Sequence, residues 1–106
     1  MIVVRRLAWN PSNVSHIDRH QATPEEVEEV CRGEPLVQVG SYGRLLVFGP
    51  TRSGRMLTVV LDREPDGEGV YYPVTARPSS CRERAIFTRE RGGKERQAEE
   101  GGGESR

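Results

Sequence analysis

Lysine is almost missing from this chain. Lys94 is the only one among 16 basic residues, so arginine carries nearly all the positive charge. Biased coding is the simpler source of that skew; the alternative is selection for guanidinium forks, which grip phosphate or carboxylate with two parallel N–H groups. Cysteine is scarce too. Cys31 and Cys81 are far apart and form no C-x-x-C pair, which excludes a zinc ribbon or a dithiol redox motif on spacing. Both read as buried small apolar residues carrying reduced thiols. No apolar run approaches the length of a membrane helix, and Met1-Ile2-Val3-Val4 gives way at once to Arg5-Arg6, so the expected location is the cytoplasm, with no membrane partner. Net charge is also missing, because 16 acidic residues cancel the 16 basic ones. An even spread of that charge would argue against a polyanion partner.

What is present fits one small domain. The chain has 106 residues, 34% of them hydrophobic, with 12 glycines and 7 prolines as punctuation, which allows a single thin core. Residues 2–9, Ile-Val-Val-Arg-Arg-Leu-Ala-Trp, are β-branched and then alternating, and read as a strand. Asn10-Pro11 supplies an N-cap and an N1 proline for a short helix through Val14, Ile17 and His20. Thr23-Pro24-Glu25-Glu26 is a capping box, and Val27, Val30 and Cys31 behind it form an i, i+3, i+4 stripe closed by Gly33 and Pro35. The period then changes to three β-like segments: Leu36–Val39 running on to Leu45–Phe48, then Met56–Leu61, then Val70–Thr75. Short Gly- and Pro-rich turns between them favour hairpins over crossovers. A last helix is predicted from near Pro78 to about Arg89, and 91–106, without a large apolar residue, reads as a disordered polar tail. The order β-α-α-β-β-β-α predicts an α+β domain over 1–90, with helices on one face of a small antiparallel sheet.

The zero net charge hides strong blocks. Residues 25–34 hold five glutamates against Arg32, and 62–68 hold Asp62, Glu64, Asp66 and Glu68 against Arg63. Residues 41–57 carry Arg44, Arg52 and Arg55 with no acid, and 77–89 carry Arg77, Arg82, Arg84 and Arg89 with only Glu83. If the two basic stretches pack together, they form one RNA-binding face through Arg44, Arg52, Arg55 and Arg82, while the acidic helix points elsewhere. Solvated helix surface is the plain alternative for Arg82, Arg84 and Arg89. Arg77 stands apart, because at a strand-to-helix junction a guanidinium and first-turn N–H groups can converge on one anion.

Other chemistry finds little support. His16 and His20 lie four apart, half of a zinc site, but Ile17 stands where the metalloprotease motif needs glutamate, and no metal is expected. There is no nucleophile elbow, P-loop or dinucleotide fingerprint. A basic face with one carboxylate and a histidine nearby suits RNA cleavage by the substrate's own 2′-hydroxyl, which needs a proton acceptor, cationic donors and an acid, but no cofactor.

Two stretches carry a family resemblance. Residues 9–20, Trp-Asn-Pro-Ser-Asn-Val-Ser-His-Ile-Asp-Arg-His, followed by Thr23-Pro24-Glu25-Glu26-Val27, resemble the opening of the BrnT-like toxins of bacterial type II toxin–antitoxin systems. Tyr72-Pro73-Val74-Thr75-Ala76-Arg77 with Glu83-Arg84 is similar to that family's closing signature, and the match spans about residues 2–88. The resemblance implies a RelE-like ribonuclease fold and a toxin that cuts RNA. It implies a small ribbon-helix-helix antitoxin encoded nearby, with DNA bound only through that antitoxin. It places Arg77, Glu83 and Arg84 in the closing motif and His20 in the opening one, with the arginines on phosphate and Glu83 or His20 accepting the proton. Arg19 replaces the usual lysine and keeps its charge. Phe87 stands where the family has tyrosine and has no hydroxyl to move a proton, which leaves open a catalytically degenerate module that acts by binding alone.

Overall fold

In the computed structural model the described residues are 4–65 and 67–100, and of 91–100 only the backbone is described. Both short helices begin as the sequence dictates. Asn10 caps α1 (Pro11–Arg19): its side chain accepts the Asn13 N–H and the Asn13 side chain accepts the Asn10 N–H, at 2.9 Å each. Thr23 and Glu26 close the same reciprocal box on α2 (Pro24–Arg32), at 3.1 Å in both directions. Such caps satisfy orphan N–H groups and contribute about 1 kcal/mol each. The buried face of α1 is shifted from the expected pair Val14 and Ile17: Asn13 and Ile17 are buried, Val14 is half-buried and His20 is exposed. Asn13 explains the rotation, because its Nδ2 donates to the Ala8 carbonyl at 3.0 Å and draws that face toward the preceding strand.

The sheet has five strands, β1 (Arg6–Leu7), β2 (Leu36–Val39), β3 (Leu45–Pro50), β4 (Met56–Arg63) and β5 (Val70–Pro78), in the spatial order β1-β5-β4-β3-β2. Class and order follow the sequence reading, with three refinements. The run from Leu36 to Phe48 is two antiparallel strands, broken by a 3-10 turn at Ser41–Gly43 where Tyr42 takes a left-handed φ of 59°. β1 is only two residues among those described and pairs in parallel with β5, Arg6 beside Val70, so the sheet is mixed rather than purely antiparallel. That pairing joins the two ends of the fold, a contact that local pattern cannot announce.

The helices also occupy both faces instead of one. Leu57, Val59 and Leu61 of β4 point into the core with Leu45, Val47 and Ala76, where Ile17 of α1 and Val27 and Val30 of α2 cover them. α2 lies close: a Cβ on Gly49 would stand 3.3 Å from both Val30 and Pro35 side chains. Thr58, between Leu57 and Val59, looks the other way, and there Glu83 of α3 (Cys81–Glu100) reaches it. α3 also packs against β3 and β2. Its backbone runs well past Arg89, against the expected stop, and the Arg, Glu, Gln, Lys and Ala content of 89–100 explains why helix persists there despite Gly92 and Gly93. The rest of the expected tail, 101–106, lies outside the described residues, as do Ile2 and Val3 of the expected first strand. Among the described residues no helix is long and apolar enough to cross a membrane. Cys31 is half-buried, with burial and then Glu28 pushing its thiol up to about 12, whereas Cys81 is exposed at the start of α3, where the sequence reading had it buried.

Candidate functional site

Ser80 starts α3. Its hydroxyl accepts the Glu83 N–H at 3.1 Å and Glu83 Oε1 accepts the Ser80 N–H at 2.8 Å, a third reciprocal capping box, here of Ser-x-x-Glu form. This carboxylate does more than cap. Arg77, two residues before Ser79 on β5, donates Nη1 to Oε1 and Nη2 to Oε2, both at 2.7 Å, in an end-on two-handed pair. Thr58 sits directly opposite Arg77 across β4 and β5, and its hydroxyl donates to Oε1 at 2.9 Å. Arg77 is thus held by the strand that carries it, by the helix that follows and, through Glu83, by the neighbouring strand.

The electrostatics follow from those contacts. The Arg77 hydrogen bonds hold the Glu83 carboxyl down to about 2; burial pulls it up, and the Ser80 N–H and the Thr58 hydroxyl add to the lowering. Arg77 is raised in turn by its hydrogen bond to Glu83. The acid lies beneath and the base outside: the Glu83 side chain is 17% exposed and that of Arg77 42%. The pair uses the two terminal nitrogens, so the Arg77 Nε–H edge has no hydrogen-bond partner among the described residues and can take an anion side-on without releasing Glu83. Arg84, exposed, folds back over the helix start, donating Nη1 to the Ser79 carbonyl at 2.9 Å and Nη2 to Cys81 Sγ at 3.2 Å. Arg82 is exposed on the same first turn. The Arg77 and Arg84 guanidinium groups thus lie at the start of α3, at one end of the sheet, an arrangement that suits a phosphate.

The other residues named from the sequence lie elsewhere. His20 caps the C-terminus of α1, across the sheet from Arg77, with its ring 5.1 Å from that of His16. Arg44 is on the Arg77 face but at the far end of β3, paired with Asp62 at 3.3 Å. Arg55 puts Nη1 on both oxygens of Glu26, at 3.0 and 3.1 Å, and the Arg52 backbone N–H donates to Glu29 at 3.0 Å. The expectation that the acidic helix points away from the 41–57 arginines is therefore wrong. The β3–β4 turn leans on α2 because opposite charges on the two stretches attract at close range. Phe87, one turn beyond Glu83, is half-buried.

Sequence reasoning missed Thr58, Ser79 and Ser80. The Ser80-x-x-Glu83 spacing was a readable cap signal; Thr58 lay inside the β-like segment Met56–Leu61 and carried no signal of its own. Compared with protein-family models and with curated proteins, the chain matches none.

Proposed function

We propose that this chain is the toxin of a bacterial type II toxin–antitoxin pair, an endoribonuclease of RelE-like type that holds an RNA phosphate at the start of α3. The observation that carries the reading is the Arg77–Glu83 unit, whose base faces outward and whose Nε edge is open, with Arg84 beside it. The arginines would neutralise the charge that grows on the phosphorus oxygens as the 2′-hydroxyl attacks and gives its proton to water; the P–O5′ bond breaks and the 5′ oxygen takes a proton from water, leaving a 2′,3′-cyclic phosphate and a 5′-hydroxyl. Glu83 orients Arg77 in this reading. A carboxylate held near 2 is a poor proton acceptor at neutral pH, so the sequence-derived role of general base fits it badly. The partners are RNA and a small ribbon-helix-helix antitoxin, with DNA reached only through the antitoxin.

A second reading has an observation of its own. Glu83 Oε1 already accepts from Arg77, Ser80 and Thr58, and Phe87 has no hydroxyl, which favours a toxin-fold module that binds RNA or antitoxin without cutting. Incubating antitoxin-free protein with RNA, and with the same RNA carrying 2′-deoxy sugars, separates the two. Cyclic-phosphate ends from the first RNA only, lost in Arg77→Ala, support the nuclease. Retention of both RNAs without products supports the binding module, and failure to bind either sinks both RNA readings.

A further inference from the structure

Thr58 is wholly buried in the middle of the sheet, on the face opposite the aliphatic core, with Ser79, also buried, beside it. Their hydroxyl oxygens are 2.8 Å apart, and the Thr58 oxygen is 2.9 Å from Glu83 Oε1. The direction of this chain is fixed by counting protons. An ionised carboxylate can only accept, so the single Thr58 proton goes to Glu83, and Ser79 must then donate to Thr58. We infer that Thr58 is a positioning residue: the Ser79–Thr58–Glu83 relay anchors the carboxylate so that Glu83 presents Arg77 to an anion in one fixed orientation.

Packing alone does not account for the hydroxyl. The neighbours of Thr58 along β4, Leu57 and Val59, are aliphatic and fully buried, and valine would fill the same volume. A buried hydroxyl is tolerated at such a position only where its hydrogen bonds are made, and here one comes from Ser79 and the other runs to Glu83, the partner of Arg77. Salt bridges to a half-exposed arginine are loose when nothing else holds the acid. A third donor, rooted in β4, ties that acid to the sheet as well as to its own helix.

The consequence for RNA rests on the function proposed above, while the relay itself does not. Thr58→Val and Thr58→Ser, with Ser79→Ala as a variant at the other end of the relay, are read by two measurements: carbon-13 titration of the Glu83 carboxyl, and affinity for a short 2′-deoxy-substituted RNA that cannot be cut. Thr58→Val and Ser79→Ala should move the Glu83 midpoint upward and weaken RNA binding by roughly 3- to 10-fold, while Thr58→Ser keeps both near wild type. A purely structural threonine gives the reverse: Thr58→Val leaves the titration unchanged and Thr58→Ser, which loses the methyl group, is the one that lowers thermal stability. That result overturns the inference. If the midpoint shifts in Thr58→Val but no form of the protein binds RNA, the relay stands and the RNA reading falls.

Discussion

Two capping boxes in this molecule use the same parts and present them differently. At α2, Thr23 and Glu26 close the helix start and Arg55 reaches in from the turn just before β4; at α3, Ser80 and Glu83 do so and Arg77 reaches in from the end of β5. Arg55 uses one nitrogen on both carboxylate oxygens, and the two side chains are similarly exposed, 32% and 23%. Arg77 uses two nitrogens on a deeper acid, 42% against 17%, with a threonine beneath. The surroundings diverge as well, with Glu25, Glu28 and Glu29 flanking the first box and Arg82 and Arg84 the second. An arginine on a capping glutamate is therefore a way to dock a helix on a sheet. In the function proposed above it serves as an anion site only where the acid is sunk, the base left outside and the neighbours basic.

The contrast can be broken by experiment. The largest expected effect is on stability: Glu83→Ala removes a cap, a two-handed ion pair and the acceptor for Thr58, for about 2–3 kcal/mol in urea unfolding, and Glu26→Ala about 1 kcal/mol. Equal losses would mean that the two boxes do the same work. Next comes RNA affinity, where Arg77→Ala should lose about tenfold or more and Arg55→Ala less than about twofold, because only the former leaves a charge-assisted phosphate contact unmade. The acid limb of stability is smaller. The folded Glu83 carboxyl, at about 2, lies below its ordinary 4.5, so its contribution is complete above 4.5 and is lost as pH falls from there toward 2. Discounting for the half-exposed Arg77, that loss is about 1–2 kcal/mol, and it should be missing in Glu83→Gln. Smallest are the cap hydroxyls, Ser80→Ala and Thr23→Ala, each expected to cost about 1 kcal/mol in thermal unfolding, with only Ser80→Ala also weakening RNA binding.

Local signals carried far in this fold. Asn10-Pro11 and Thr23-Pro24 started helices where they stand, and the period change after Leu36 marked the sheet. What escaped was non-local or masked by neighbours. The parallel pairing of Arg6 with Val70 has no signature in either segment. The turn residues Gly40–Gly43 were legible, but the segments on either side were counted as one because their apolar residues continue one run. Blocks of net charge predicted segregation, but charge along the chain does not say which stretches will touch, and Arg55 met Glu26. At the site, the closeness of Arg77 and Glu83 followed from a strand that runs straight into a helix. The role of Thr58 depended on strand register, which sets Thr58 opposite Arg77 and is fixed only once β4 and β5 have paired.

The central claim is that RNA phosphate is met at the α3 box and not at the α2 box. Titrating the nitrogen-15 labelled protein with a short uncleavable RNA and following arginine Nε–H signals tests it most directly. Large shifts at Arg77 and Arg84 with amide shifts over Ser80–Arg84, and little change at Arg52 and Arg55, are the result this account predicts. Shifts centred on Arg52 and Arg55, or none at Arg77 while RNA binds, would contradict it.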